Sequence, residues 1–199
     1  MRKVKLRTIY PLTENLLEQL AAKDKTTYLH SLHVAEVASL LAREMGFVGE
    51  ERALYEAGLL HDIGKLYVPQ ELLFTRRVFS SIERLEMQKH VSYTYAILTY
   101  HNYPHTLAEI CFQHHERLDG SGYPRGLRGE AITLEGRILA VADVFAALIS
   151  PRPYRGALSP RQAVEILHQE VLRGRLAMEV VAALVRKLDE CCVLCGKHE

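Results

Sequence analysis

The stretch Leu59-Leu60-His61-Asp62-Ile63-Gly64-Lys65 places a histidine and an aspartate side by side where an apolar helix ends. A lone pair of this kind is more often a surface ion pair or a cap than a metal site. Divalent metals accept both side chains, however, and a buried carboxylate is costly unless a cation neutralises it. Neighbouring helical residues point about 100° apart, so the two side chains suit two adjacent metals with Asp62 between them. The fold must then bring further ligands to this point from elsewhere in the chain.

Composition predicts a soluble, cytoplasmic protein of one domain. The chain has 199 residues, of which 48% are hydrophobic, and a net charge of +1. This gives a sizeable core and no general affinity for nucleic-acid polymers or membranes. The basic start is not followed by the apolar segment of a signal peptide, and the longest apolar stretch, 138–149, is too short to span a bilayer. Four cysteines, three of them near the C-terminus, are not a secreted disulfide framework.

Apolar periodicity predicts an all-α fold without strands. Capping boxes at Ser80 and Ser159 and a cap at Thr133 mark three helix starts. We expect a helical lead-in over 1–25, the main domain over 26–190, and a cysteine-containing tail over 191–199 that could bind zinc, sense redox state or fray. The predicted helices cover 12–20, 26–45, 50–61, 71–74, 80–101, 105–116, 134–149, 159–172 and 177–191.

Further histidines and aspartates lie at positions suited to one shared site. Asp143 lies inside a very apolar helix, where a carboxylate needs a cation or an ion-pair partner. His114 and His115 end another helix, which repeats the geometry of the first pair. Seven candidate ligands from five helices, all nitrogen or oxygen donors, suit two Fe or Mn ions better than a closed structural zinc site: His30, His61, Asp62, His90, His114, His115 and Asp143.

These residues carry a resemblance to a known family. His30, His61-Asp62 and Asp143 resemble the ligand signature of the HD superfamily of metal-dependent phosphohydrolases. The run from His114 to Pro124, which reads His-His-Glu-Arg-Leu-Asp-Gly-Ser-Gly-Tyr-Pro, resembles the signature of its HD-GYP branch. The resemblance covers about 26–188 and implies an HD-domain helical bundle with the extension helices of that branch. It also implies a phosphodiesterase that opens cyclic di-GMP to pGpG or to GMP.

The resemblance also implies roles for single residues. One metal would be held by His30, His61, Asp62 and Asp143, and the other by Asp62, His90, His114 and His115. A hydroxide bridging the metals would attack phosphorus, so Asp62 would be catalytic as the bridge. Lys65 would contact the phosphate and assist catalysis, and Arg152 and Arg155 would bind substrate; a solvated surface role is the alternative for all three.

Departures from the family pattern and other functions leave alternatives open. Thr26 stands where members with three metals carry a glutamate, so two metals are expected. Another cyclic dinucleotide or nucleotide could be the substrate, or the chain could be a non-catalytic module that docks through its Gly-Tyr-Pro loop. A diguanylate cyclase of the GGDEF type and a second copy of the chain, giving a homodimer, are candidate partners.

Overall fold

The computed structural model describes residues 6, 8–47, 51–75, 77–150 and 156–196. Within these ranges the chain forms α-helices and two 3₁₀ helices and no strand, which confirms the predicted all-α class. In chain order the elements are α1 (Pro11–Lys23), α2 (Lys25–Glu44), α3 (Glu51–Leu60), η1 (Ile63–Tyr67), α4 (Gln70–Leu73), α5 (Ser81–Tyr100), α6 (His105–Gln113), η2 (Gly129–Ala131), α7 (Leu134–Ile149), α8 (Pro160–Leu172), α9 (Met178–Arg186) and α10 (Leu188–Gly196).

Side-chain caps set the helix starts that the sequence predicts. Ser80 and Ser159 each form a full capping box, with Glu83 and Gln162 respectively, and the Thr133 hydroxyl accepts the backbone N–H of Gly136. Each cap satisfies backbone donors that have no partner inside the helix. The sequence therefore locates the start of the two helices that carry His90 and Asp143.

The C-terminal helices differ from the prediction. Instead of one helix over 177–191 and a tail, α9 ends at Arg186 and α10 continues to Gly196, packed against α2. Helix α10 thus crosses the boundary predicted at residue 190, and it does so because Cys191 and Cys195 enter the core. Burial raises the pKa of Cys191 to about 12, which disfavours the thiolate that metal binding and redox chemistry require at this residue.

Helices α2, α3 and α7 form the centre of the core. Gly58 of α3 lies directly against the α2 backbone, because a Cβ built at this position would lie 2.4 Å from Ala35 Cα. The absence of a side chain lets the two helix axes approach closely. This contact is three residues before His61, so it also fixes the distance between the α3 end and the His30 helix.

We expect Gly58→Ala to destabilise the protein although alanine is the better helix former. Alanine gains roughly 1 kcal/mol of helix propensity, but the clash is with backbone and forces α2 and α3 apart, at a cost of about 1–3 kcal/mol or more. Urea unfolding measures the difference, with Ser92→Ala on the exposed face of α5 as the control. A variant as stable as the wild type would show that the helices have room to move.

None of the helices in the described ranges combines the length and the apolar character needed to cross a membrane.

Candidate metal centre

The bundle brings all seven predicted ligands to one buried point. Six have fully or nearly fully buried side chains, and His115 is the most open, with 22% of its side chain exposed. His61 and Asp62 follow the last residue of α3, and His114 is the C-terminal cap of α6. The remaining ligands project from helix interiors or follow a helix end: His30 on α2, His90 on α5, His115 after α6, and Asp143 on α7.

The two aspartates each lie among several imidazoles. Asp143 Oδ1 is 2.9 Å from His30 Nε2 and 3.9 Å from His61 Nε2, and its Oδ2 is 3.9 Å from His115 Nδ1. Asp62 Oδ2 is 3.4 Å from His61 Nε2, and its Oδ1 is 3.3 Å from His90 Nε2. Asp62 therefore contacts one imidazole with each carboxylate oxygen, as a bridging ligand requires.

The ligand atoms fall into groups of three, with all atoms of a group within 4.8 Å of one another. His30, His61 and Asp143 form one group, and His90, His114 and His115 form another that shares no residue with the first. A third group joins Asp62 to His61 and His114, one member of each of the other two. Asp62 therefore links the two groups that share no residue.

The imidazoles are oriented so that their free nitrogens point inward. The Nδ1–H of His61, His90 and His114 donates to the carbonyl three residues earlier, at 2.8, 2.6 and 2.5 Å. In a neutral imidazole this bond keeps the proton on Nδ1 and leaves a lone pair on Nε2, which is the form that binds metals. Among the described residues, those three Nε2 atoms and Asp62 Oδ1 are buried without a hydrogen-bond partner.

Two acceptors that face each other need a cation between them. Neutral His90 presents a lone pair to Asp62 Oδ1 at 3.3 Å, and neither atom carries a proton for the other. Buried polar atoms without partners are rare because they are costly. The donor set, nitrogen and carboxylate oxygen without sulfur, therefore fits divalent cations.

Burial and charge set the ionisation of the cluster. Burial lowers the pKa of His90 and lowers that of His114 to about 3, so both are neutral at pH 7. Burial also lowers the pKa of His61, but the Asp62 and Asp143 carboxylates outweigh it and raise that pKa overall. Burial works against ionisation of Asp62, yet Lys65 and His61 hold its pKa well below the usual range. Two buried carboxylates beside the neutral imidazoles of His90 and His114 make the site attractive to cations.

We expect the metal-free protein to lose stability on mild acidification. The folded pKa of His114 is depressed, so the unfolded chain takes up the proton first, and stability falls as pH drops from the unfolded value of about 6.5 towards 3. At pH 5.5 the depressed pKa of His114 lowers the free energy of unfolding by roughly 1.4 kcal/mol relative to neutral pH. His90 and His115 shift in the same direction and His61 in the opposite one.

Urea unfolding in the presence of a chelator at pH 7.5 and 5.5 measures this loss. His114→Gln should reduce the pH dependence, because it removes one of the imidazoles that resist protonation in the folded state. The same pH dependence in His114→Gln as in the wild type would contradict a depressed pKa of His114 in the folded protein.

Lys65 lies at the edge of the cluster on η1. Its Nζ donates to Asp62 Oδ2 at 2.6 Å, and 18% of its side chain is exposed. It is the one predicted substrate-binding residue that the structure describes; Arg152 and Arg155 lie outside the described residues. Thr26 is exposed in the first turn of α2, where its backbone N–H donates to the Asp24 cap.

The Gly-Tyr-Pro loop contributes two residues that sequence reasoning left without a role. The Tyr123 ring stacks on His115 at 4.7 Å between centroids, and its N–H donates to the His115 carbonyl at 3.2 Å. Glu116, which is buried, accepts the backbone N–H groups of Arg125 and Leu127 at 2.7 and 2.9 Å. The carboxylate holds the loop closed, and the loop holds Tyr123 on His115. Only the place of both residues within the signature could have indicated this.

Fold and site together define an all-α protein with a buried histidine–aspartate cluster of the kind that holds divalent metals. A sequence model of the HD domain matches residues 10–180, and the chain belongs to the HD domain family. HD phosphohydrolases are metal-dependent.

Comparison with individual proteins agrees with this assignment. The chain is 44% identical over 85% of its length to "3'3'-cGAMP-specific phosphodiesterase 1" of Vibrio cholerae, and 38% identical over 92% to "Cyclic di-GMP phosphodiesterase response regulator RpfG" of Xanthomonas campestris. It spans only 39% and 49% of the lengths of these two relatives. An HDG"Y"P protein of Bdellovibrio bacteriovorus shares the fold, with a TM-score of 0.68 and 20% identity over 89% of this chain and 60% of that one.

Proposed function

We propose that the chain is a metal-dependent phosphodiesterase that hydrolyses cyclic dinucleotides. The observation that carries the proposal is the pair of three-residue ligand groups linked by Asp62, with buried acceptor atoms that have no partner in the described structure. Relatives named as phosphodiesterases of cyclic di-GMP and of 3′3′-cGAMP support the substrate class. The cytoplasmic location predicted from composition is consistent with an intracellular signalling nucleotide.

We propose two divalent cations, Fe or Mn, held as the ligand groups indicate. His30, His61 and Asp143 would hold one, and His90, His114 and His115 the other, with Asp62 between them. Such a pair supplies a nucleophilic hydroxide near neutral pH and neutralises charge on both the attacking and the leaving oxygen. The nitrogen and oxygen donor set and the absence of cysteine from these groups support Fe or Mn over a structural zinc.

The residues of the chain have separable tasks in this reaction. The oxygen of a water forms the new bond to phosphorus, the bond to the 3′ oxygen breaks, and that oxygen leaves with a proton as a 3′ hydroxyl. Lys65 would donate to a non-bridging phosphate oxygen, where negative charge grows in the transition state. Arg152 and Arg155 are proposed as further phosphate ligands. Tyr123 would keep His115, the most exposed ligand, in its ring orientation.

Cyclic di-GMP is the first candidate substrate, cleaved to pGpG and onward to GMP. A second candidate is 3′3′-cGAMP, because a relative with 44% identity carries that name. A docking role of the Gly-Tyr-Pro loop, a GGDEF-type cyclase partner and a homodimer stay predictions.

The test is anaerobic purification with metal analysis, followed by incubation with cyclic di-GMP, 3′3′-cGAMP and cyclic di-AMP and chromatography of the products. Two metals per chain and a linear dinucleotide are expected, and chelator-treated protein is the control. Two metals without cleavage of any cyclic dinucleotide would overturn the proposed activity and favour a binding role. No metal at all would overturn the site.

A further inference from the structure

The 3₁₀ helix η1 carries Lys65 and has little internal support. It spans five residues, and its hydrogen bonds include Lys65 N–H to the Asp62 carbonyl at 3.0 Å and Val68 N–H to the Lys65 carbonyl at 3.2 Å. A 3₁₀ helix has poorer hydrogen-bond geometry than an α-helix and is stable only over short lengths. The position of the Lys65 ammonium therefore depends on what holds η1 from outside.

The start of η1 is held by α5. The Gly64 N–H donates to Thr94 Oγ1 at 2.9 Å, and the Thr94 hydroxyl donates to the His61 carbonyl at 3.0 Å. Gly64 packs so tightly that a Cβ would lie 2.0 Å from the His90 carbonyl oxygen. This end of η1 is thus fixed by buried contacts to the helix that carries His90.

The end of η1 is held by α1, through a lysine that the sequence did not single out. Lys23 Nζ donates to the Leu66 carbonyl at 2.7 Å and to the Val68 carbonyl at 2.8 Å. These carbonyls flank Tyr67, which is 66% exposed and has a ring contact with Tyr93 of α5 at 5.9 Å between centroids, whereas Val68 is buried. Hydrogen bonds from a charged donor are stronger than those between neutral groups, and here one ammonium makes two.

We propose that Lys23 is a positioning residue that holds η1 so that the Lys65 ammonium is in place for a substrate phosphate. That Lys65 contacts a substrate phosphate rests on the proposed function. That Lys23 holds η1 in place does not depend on it. Without Lys23, Lys65 would spend a smaller fraction of the time in its binding position. The apparent affinity for substrate falls in proportion to the share of molecules that have Lys65 in place, whereas the rate at which a correctly bound substrate reacts is unchanged. Helix α1 then belongs to the phosphate-binding apparatus and is not only a lead-in.

Amide hydrogen exchange tests the hold on η1 without any turnover. We compare Lys23→Met with the wild type, with Lys23→Arg, and with Lys25→Met, which alters an exposed lysine two residues along the chain. Lys23→Met should speed exchange in 65–68 about tenfold. Lys23→Arg, which can donate to both carbonyls, should restore protection, and Lys25→Met should leave it unchanged. Unchanged exchange in Lys23→Met would overturn the proposal.

Steady-state kinetics with a cyclic dinucleotide test the consequence for the reaction. Lys23→Met should raise KM about tenfold with unaltered kcat and metal content, because the loss is in the binding-competent fraction. General destabilisation would instead lower the concentration of active enzyme and hence kcat. In a Lys65→Met background, Lys23→Met should cause no further rise in KM. A further rise as large as that seen in the wild-type background would overturn the proposal. If the wild type cleaves no cyclic dinucleotide, the proposed function fails, whereas the exchange comparison still decides whether Lys23 holds η1.

Discussion

Asp62→Asn is expected to lose at least one of the two proposed metals and to lower turnover by at least about 10²-fold, or 2.7 kcal/mol of transition-state stabilisation. The variant keeps the size of the side chain but removes the charge. Asp62 contacts His61 through one oxygen and His90 through the other, so it is the residue common to both halves of the cluster. An amide can present only one acceptor oxygen and therefore cannot bridge two cations.

Metal analysis and turnover of a cyclic dinucleotide are measured on the same sample. Asp189→Asn, on the exposed face of α10, is the matched control and should behave as the wild type. Wild-type metal content and rate in Asp62→Asn would rule out a bridge at this residue. Full metal content with little turnover would instead show that the carboxylate acts on the reaction and not on metal affinity.

Much of the fold could be predicted because its signals are local. Ser80, Thr133 and Ser159 mark their helices by the chemistry of the first turn alone, and all three caps form. The break at Lys187 has no such signal, since neither glycine nor proline stands near it. Packing of Cys191 and Cys195 into the core extends the last helix beyond the predicted boundary, and this follows from tertiary contacts that no short window contains.

That the candidate ligands from different helices would lie together was also predictable, for an energetic reason. Asp143 in an apolar helix is costly unless something compensates its charge, and this alone points to partners from other helices. Most interactions that position the segments around the site could not be foreseen. Lys23 reaches carbonyls 43 and 45 residues away, and backbone acceptors leave no trace in the sequence. Glu116 likewise accepts hydrogen bonds from the backbone N–H groups of Arg125 and Leu127.

Lys65→Met is expected to lower kcat/KM by about 10²-fold with the metal content unchanged. A donor aimed at the developing charge of a phosphate oxygen is worth on the order of 10²–10³ in rate when it is removed. Methionine keeps the length and the packing of the side chain but cannot donate. Lys65→Arg retains the charge with a different shape and should lose less than Lys65→Met.

The structure offers a competing role that the same variant excludes or establishes. Lys65 donates to Asp62 Oδ2 at 2.6 Å, so it could serve only to neutralise that buried carboxylate. In that case Lys65→Met would lower metal content or stability together with activity, because Asp62 would lose its main cationic partner. A loss confined to kcat/KM assigns the ammonium to the substrate. The two contacts need not exclude each other: if Asp62 held cations, they would neutralise its carboxylate, and the Lys65 ammonium would then be free to donate to a phosphate oxygen.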